Sequence, residues 1–482
     1  MSDVNLSVNA GATAWLLASA AMVLLMTPGL AFFYGGMVRR TNVLGILMQN
    51  FTAVAIVSLL WVQIGFSLAF SGSGWLIGDL HFAGLVNHSG SVRPATGIPL
   101  AVFALFQMMF AVVTPALITG AAAERWRFGA FALFTAAWSL LVYTPVAHWV
   151  FSPQGWAARW GALDFAGGTV VHANAGAAAL VMAVVLGRRQ GWPNRQFRPH
   201  NLPMVMIGLA LLWFGWFGFN SGSAYAANGV AGIAALNTQV AAAAGLLAWM
   251  GAERLRYGRP TTLGAASGAV AGLVAITPAA GYITPSTAVV LGLVAGSVCH
   301  LAAGLKSWFH VDDSLDVAAI HLGGGLIGSL WVGLFATKSV NPAGADGLFF
   351  GGGYHLLVCQ AGTVLAVVAY SMVVTFALAG VINRIAGNRV HPREEAAGLD
   401  LSQHGESAYE LQPPAPTSGE ENAPADHGHH PDGAHGPAGN GGPPGGFTGP
   451  PGGFGGPSGG FAGPPVMVPD HVPAGHRQSS RR

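Results

Sequence analysis

Eleven long apolar stretches follow one another through the first 390 residues, near 13–37, 43–70, 98–122, 128–151, 165–187, 202–221, 228–251, 261–280, 284–305, 317–336 and 351–384. Each approaches or exceeds the length of about 20 residues that lets a helix cross a bilayer, and hydrocarbon admits only structures that satisfy their own backbone. Charge says the same: 8% of the 482 residues are Asp, Glu, Lys or Arg, too few to wet the surface of a soluble protein this large. The 70 glycines suit close approach between membrane helices. The chain is therefore read as an all-α polytopic membrane protein with eleven transmembrane helices. The first stretch has no basic residue before Arg39, so it reads as a retained span rather than a cleaved signal.

Charge also sets boundaries and orientation. Residues 1–390 carry 17 basic and 9 acidic side chains and residues 391–482 carry 4 and 10, so a basic body of +8 precedes an acidic tail of −6. With the N-terminus outside, the inside loops hold twelve basic residues (Arg39, Arg40, Arg125, Arg127, Arg188, Arg189, Arg195, Arg198, Arg254, Arg256, Arg259 and Lys306) and the outside loops three (Arg93, Arg159 and Lys338). That bias predicts N-out and C-in. From about 411 the chain is Gly, Pro and His rich, with Phe447, Phe454 and Phe461 every seven residues, a composition that predicts disorder. Its DHGHHPDGAH run (426–435) reads as low complexity, or as a weak metal site. The basic residues form no nucleic-acid patch, and Cys299 and Cys359 read as buried free thiols.

Ionisable residues at membrane depth are functional candidates. DFAGGTVVHANAG (164–176) and DSLDVAAIHLGGG (313–325) both read D-x7-H-x3-G. Asp164 opens the fifth span and Asp313 the tenth, which run in opposite directions, as an inverted five-helix repeat (helices 1–5 and 6–10) followed by one long final helix requires. Eight residues of helix rise carry each histidine about 12 Å beyond its aspartate, to mid-bilayer, where His172 and His321 can meet. The aspartates are read as N-caps in preference to substrate ligands, and Asp312 and Asp316 as local partners. Facing neutral imidazoles donate and accept without fixed charge, which suits a small neutral solute or a relayed proton better than a metal ion, for which no third ligand is apparent.

PGLAFFYGG (28–36), GALDFAGGTVVH (161–172), PHNLPM (199–204), GWFGFNSGSA (215–224), ITPAAGYI (276–283), VDDSLDVAAIH (311–321) and GLDLSQHGESAY (398–409) together resemble the ammonium transporter (Amt/Mep) family over about residues 8–410. The resemblance implies an ammonium/ammonia transporter without cofactor or bound metal, not an enzyme. The resemblance also implies a place in the cell inner (plasma) membrane and a homotrimer with one pore per subunit. It implies that His172 and His321 are the twin histidines of the pore and that Phe110 and Phe219 are the stacked rings closing its outer side. It implies further that Ser223 accepts from ammonium in an outer vestibule and that Asp164 supports that vestibule structurally. At Phe151 the family usually has Trp; a cation binds less well on Phe, which predicts a shallower outer site, and Trp149 is badly placed to substitute. Ammonium recognised and deprotonated in the vestibule would then cross as ammonia, its proton left outside or relayed along the histidines. Three regions are expected: the membrane domain 1–390, a cytoplasmic regulatory segment 391–410 that docks a PII-type protein, and the disordered tail 411–482. Sensing of ammonium through a PII-type protein is the alternative function.

Overall fold

The computed structural model describes residues 7–409 except Ser89, Pro94 and Gln196; the tail 411–482, with the readings of disorder and of the DHGHHPDGAH run, lies outside the described residues. Among the described residues ten helices are long and apolar enough to cross a membrane: α1 (Ala10–Met37), α2 (Val43–Phe70), α3 (Leu100–Ile118), α4 (Phe128–Trp160), α5 (Gly168–Leu186), α6 (Leu202–Gly222), α7 (Gly229–Tyr257), α9 (Pro285–Trp308), α10 (Ala318–Phe335) and α11 (His355–Ile385). The remaining apolar stretch, expected as a span over 261–280, forms a shorter helix, α8 (Thr262–Ile276). Pro278 has no N–H to donate to the Val274 carbonyl, so the α-helical ladder does not continue past Thr277 and turns follow. Two dipeptide strands, β1 (Val92–Arg93) and β2 (Ile98–Pro99), pair antiparallel before α3.

Side-chain caps start several helices: Asn9, Asn201, Asn228, Thr261 and Thr284 each accept a backbone N–H three residues on. Packing between helices relies on small residues. Helix α6 lies against α1, where a Cβ on Gly208 would come within 2.3 Å of the Phe33 nitrogen, so the crossing exists only because that position carries none. Helices α7, α8 and α9 pack together, and α11 covers α5 and α10. Large apolar side chains such as Leu59, Leu365, Val373 and Phe376 stand exposed on the perimeter, as a surface facing lipid requires.

One end of the bundle gathers its charges. Glu124 accepts from Arg39 at 3.0 Å and Arg189 at 3.4 Å, and Asp312 accepts from Arg189 at 2.8 Å. The buried Arg125 guanidinium donates to the Asp312 carbonyl and to Ser314 Oγ, both at 2.6 Å. Burial holds Arg125 down to about 10 while its Arg189 neighbour is held above its ordinary value by Asp312 and Glu124 against its own burial. Two short helices, α12 (Pro392–Ala397) and α13 (Leu399–His404), strap across this end. Glu395 binds Arg389 and the Gln190 N–H, Asp400 takes the Gly45 N–H at 2.8 Å, and Asn42 takes the Leu399 N–H at 2.8 Å.

Candidate functional site

The two D-x7-H-x3-G segments form matching local structures. Neither is regular α-helix from Asp to His, as the 12 Å reckoning assumed: each histidine sits on a π-helical turn, Gly168–Ala173 in α5 and Ala318–Leu322 in α10. Asp164 stands before its helix and caps it. Its Oδ1 accepts from the N–H groups of Gly167 and Gly168, and its Oδ2 from those of Thr169 and Val170, at 2.7–3.0 Å. Those four bonds occupy the acceptor sites of the carboxylate. Burial pushes its carboxyl above the ordinary range, opposed by the same N–H groups. Asp313 likewise accepts from Val317 and Ala318, at 3.1 and 2.8 Å.

The two π turns cross at the closing glycines of the motif. A Cβ on Gly176 would lie 2.2 Å from the Leu322 nitrogen, and one on Gly325 2.7 Å from the Ala173 nitrogen. With α5 and α10 this close, His172 and His321 face each other, both buried, their Nδ1 atoms 3.2 Å apart and their rings inclined by 24°. One Nδ1–H donates to the other Nδ1. His172 Nε2 has no hydrogen-bond partner among the described residues.

The rings adjoin a cavity of about 20 Å³, room for about one water-sized molecule, whose other walls include Leu30, Tyr34, Val113, Trp216 and Ile320. No Asp, Glu, Lys or Arg lines it. On one side the Phe110 and Phe219 rings stack at 4.1 Å with 20° between planes, and Phe219 lies 6.0 Å from His172. Beyond them opens a vestibule of about 390 Å³, lined by Phe151, Asp164, Ser223, Tyr225, Tyr282 and Asn341 among others. Ser223 donates its hydroxyl to the Phe219 carbonyl at 2.8 Å, which leaves its oxygen free to accept. Phe151 meets Phe110 edge-on at 6.4 Å. Trp149 donates to the Leu76 carbonyl and packs on Trp156 and Tyr370, outside the vestibule lining. Among the described residues no group of three or more His, Cys, Asp or Glu could hold a metal ion. Cys299 and Cys359 are free and buried.

The residues singled out in the sequence thus fall into three places: Phe151, Asp164 and Ser223 at the vestibule, Phe110 and Phe219 between, His172 and His321 at the centre. Trp216 escaped notice. Its indole stacks on His172 at 5.3 Å and 19° and is held by donation to Thr277 Oγ1 at 2.8 Å. Trp216, Phe219 and Ser223 share the i, i+3, i+7 spacing of one face of α6, which is the signal that would have found it.

Fold and site together define a multi-span helical membrane protein enclosing an uncharged cavity for a solute about the size of water. The profile of the Ammonium Transporter Family matches residues 14–409. An ammonium transporter of Mycobacterium tuberculosis is 49% identical over 431 residues, covering 83% of this chain and 90% of its own length. An ammonium transporter of Bacillus subtilis is 49% identical over 403 residues, covering 83% and 98%. The crystal structure of Saccharomyces cerevisiae Mep2 superposes with a TM-score of 0.76 at 37% identity, over 81% of this chain and 90% of that one. The chain belongs to the ammonium transporter family.

Proposed function

We propose that this ammonium transporter selects the ion and conducts the neutral base. Ammonium rests in the vestibule between the Ser223 oxygen and the Phe151 ring and gives up one proton. Ammonia then passes between Phe110 and Phe219 to His172 and His321, whose rings offer it hydrogen bonds. The observation that carries this reading is the pair of imidazoles 3.2 Å apart in a small uncharged cavity. A bare ammonium ion there would be a buried charge with no counterion, which is costly, whereas ammonia needs only hydrogen bonds. Asp164 acts as a cap that shapes the vestibule, a role its four occupied acceptor sites support. The proton remains outside or follows along the histidines. Uptake of ammonium or methylammonium into proteoliposomes tests the scheme: His172→Ala should reduce it at least tenfold, and unchanged uptake would refute a role for the pair. Current recorded on the same vesicles separates the two fates of the proton, zero for the first and inward for the second.

The topology we infer has eleven crossings, N-out and C-in, with α1–α5 and α6–α10 as inverted repeats. Helix α8, about 22 Å long, counts as a crossing because twelve of its fifteen residues are buried and its ends need not meet lipid. The matching caps, π turns and glycines of the two halves support the repeat, and the twelve-to-three basic bias supports the orientation. The family resemblance supports a homotrimer in the cell membrane. The ordered strap at 391–409 offers a surface to a cytoplasmic PII-type regulator, and a pull-down with the strap helices replaced by Gly-Ser linker checks it.

A further inference from the structure

The vestibule carries an aromatic ring that the scheme above leaves unused. Its volume of about 390 Å³ is many times the roughly 30 Å³ that a water molecule occupies in the liquid, so an ion touching only Ser223 and Phe151 has most of its surroundings open. Phenylalanine is also a modest wall for a cation, since the attraction is greatest on Trp. Tyr225 lines the same vestibule and lies two residues beyond Ser223. The two share the turn that ends α6, in which the N–H groups of Ser223 and Tyr225 donate to the Asn220 and Gly222 carbonyls at 3.1 and 2.9 Å. Tyr282 lines the vestibule as well, but its ring meets Phe165, the residue after Asp164, edge-on at 5.4 Å.

The placement of Tyr225 is strained and fixed. Its φ of 52° lies in the left-handed region, which a bulky side chain rarely adopts. Its hydroxyl accepts from Gln107 Nε2 at 2.7 Å, and its ring packs on Phe103 at 5.5 Å and edge-on against Phe106 at 6.1 Å. Gln107 is buried and lies three residues before Phe110 on α3, so the tie that holds Tyr225 comes from the helix face that carries the pore ring. Phe106 meets Phe110 edge-on at 4.9 Å and Phe110 meets Phe151 at 6.4 Å, so the rings from Tyr225 to Phe151 form an unbroken aromatic run. Arg93 lies beside this run, its guanidinium 3.7 Å from the Phe103 centroid and 5.9 Å from that of Tyr225, and does not line the vestibule. Phe103 thus takes the arginine, and the Tyr225 ring is left for a cation in the vestibule.

We propose that Tyr225 is an ion-binding residue of the vestibule: with Phe151 its ring walls the ammonium or small alkylammonium ion that Ser223 accepts from, and Gln107 positions it. The inference rests on the reading of Ser223 and Phe151 as the ion site. Initial rates of methylammonium uptake into proteoliposomes, taken across concentration, test it. Tyr225→Leu should raise the half-saturating concentration about fivefold, with a far smaller change in maximal rate, because it removes binding and leaves the pore rings in place. Tyr225→Phe keeps the ring, loses the Gln107 bond and should raise it less. A matched pair guards against misfolding: phenylalanine and 3,4,5-trifluorophenylalanine at position 225 have nearly the same shape, but fluorine withdraws negative charge from the ring face. The fluorinated protein should need about threefold more methylammonium for half-saturation. Equal half-saturation for that pair, or a lower maximal rate at unchanged half-saturation for Tyr225→Leu, would overturn the assignment and leave Tyr225 a packing residue. Ser223→Ala separates this failure from failure of the reading beneath it. If Ser223→Ala raises half-saturation and the Tyr225 variants do not, the inference alone falls; if none of them does, the vestibule ion site falls with it.

Discussion

Gly176→Ala replaces a hydrogen with a methyl group where α5 and α10 are in backbone contact, and the structure sets the size of the effect. The new Cβ would sit 2.2 Å from the Leu322 nitrogen and 2.7 Å from its Cα, and moving the first contact to an ordinary 3.4 Å requires a shift of about 1.2 Å. The neighbour is backbone within a helix, so no side-chain rotation can give that distance, and the two helices must separate. Separation takes the Nδ1 atoms from 3.2 Å to beyond the roughly 3.5 Å at which a hydrogen bond survives. Overpacking of this kind destabilises by about 1–3 kcal/mol, and the lost alignment should lower proteoliposome uptake of methylammonium at least tenfold. Gly325→Ala, whose nearest contacts are 2.7 Å, should be the milder of the two. Gly129→Ala, with nothing within 4 Å of its Cβ in a helix, should leave uptake unchanged and leave thermal stability equal or raised by up to about 1 kcal/mol. Wild-type uptake and stability for Gly176→Ala would refute the claim that the helix crossing positions the histidines.

Three further outcomes can be measured on the same preparation. Phe151→Trp enlarges the ring facing the vestibule and should lower the half-saturating methylammonium concentration by a few-fold; an equal or higher value counts against Phe151 as a cation wall. Asp164→Asn keeps one of two acceptor oxygens and leaves two of four N–H groups without one, a loss of about 2–6 kcal/mol seen as a lower midpoint in thermal unfolding, with only a secondary effect on affinity. Asp313 gives a pH signature: burial, reinforced by the Asp316 carboxylate, pushes its carboxyl up to about 6. A raised carboxyl destabilises the folded state where it is ionised, by up to about 3 kcal/mol at pH 8, and the penalty fades as pH falls through that value and is gone below about 4. Asp313→Asn gives up one of the two cap acceptors at every pH and removes the buried charge only where it exists, so its stability relative to wild type should be better at pH 8 than at pH 4; a difference independent of pH would remove the buried-charge account.

Hydropathy located the helices because composition alone distinguishes lipid-facing from water-facing chain, and the ends of α2, α6, α9 and α11 fall within a few residues of the apolar stretches. It missed the shortness of α8, since a window average does not register that Pro278 stops the hydrogen-bond ladder after Ile276. The pairing of Asp and His eight apart was visible because capping and burial each demand a residue type. The π turns were not: one extra residue in a turn changes the hydrogen-bond pattern without changing the residues. Phe110, Phe219 and Ser223 carry no chemical mark that separates a pore wall from a core, so only the family resemblance singled them out. Trp216 was passed over for the same reason, although its place on the Phe219 and Ser223 face was countable.

Charge is abundant at one end of the bundle and absent from the centre, and the structure shows how the two are reconciled. Glu124, Asp312 and Glu395 are committed to arginines, and Asp164 and Asp313 to helix N-termini, so each of these carboxylates already has a guanidinium or backbone N–H groups as its partner. None is left to act as counterion for a cation travelling inward. The central cavity offers two imidazoles that already share one bond, a Trp face and aliphatic carbon, which can satisfy a small neutral donor and acceptor but cannot replace an ion's hydration shell. A potassium ion, spherical and unable to shed its charge as a proton, has no neutral form to present to that cavity. On the proposed scheme, selectivity against it would arise from proton chemistry rather than from ion size. Potassium should accordingly compete for the vestibule at most weakly and never be conducted, and a potassium current through wild-type protein in bilayers would contradict the neutral-cavity argument at its root.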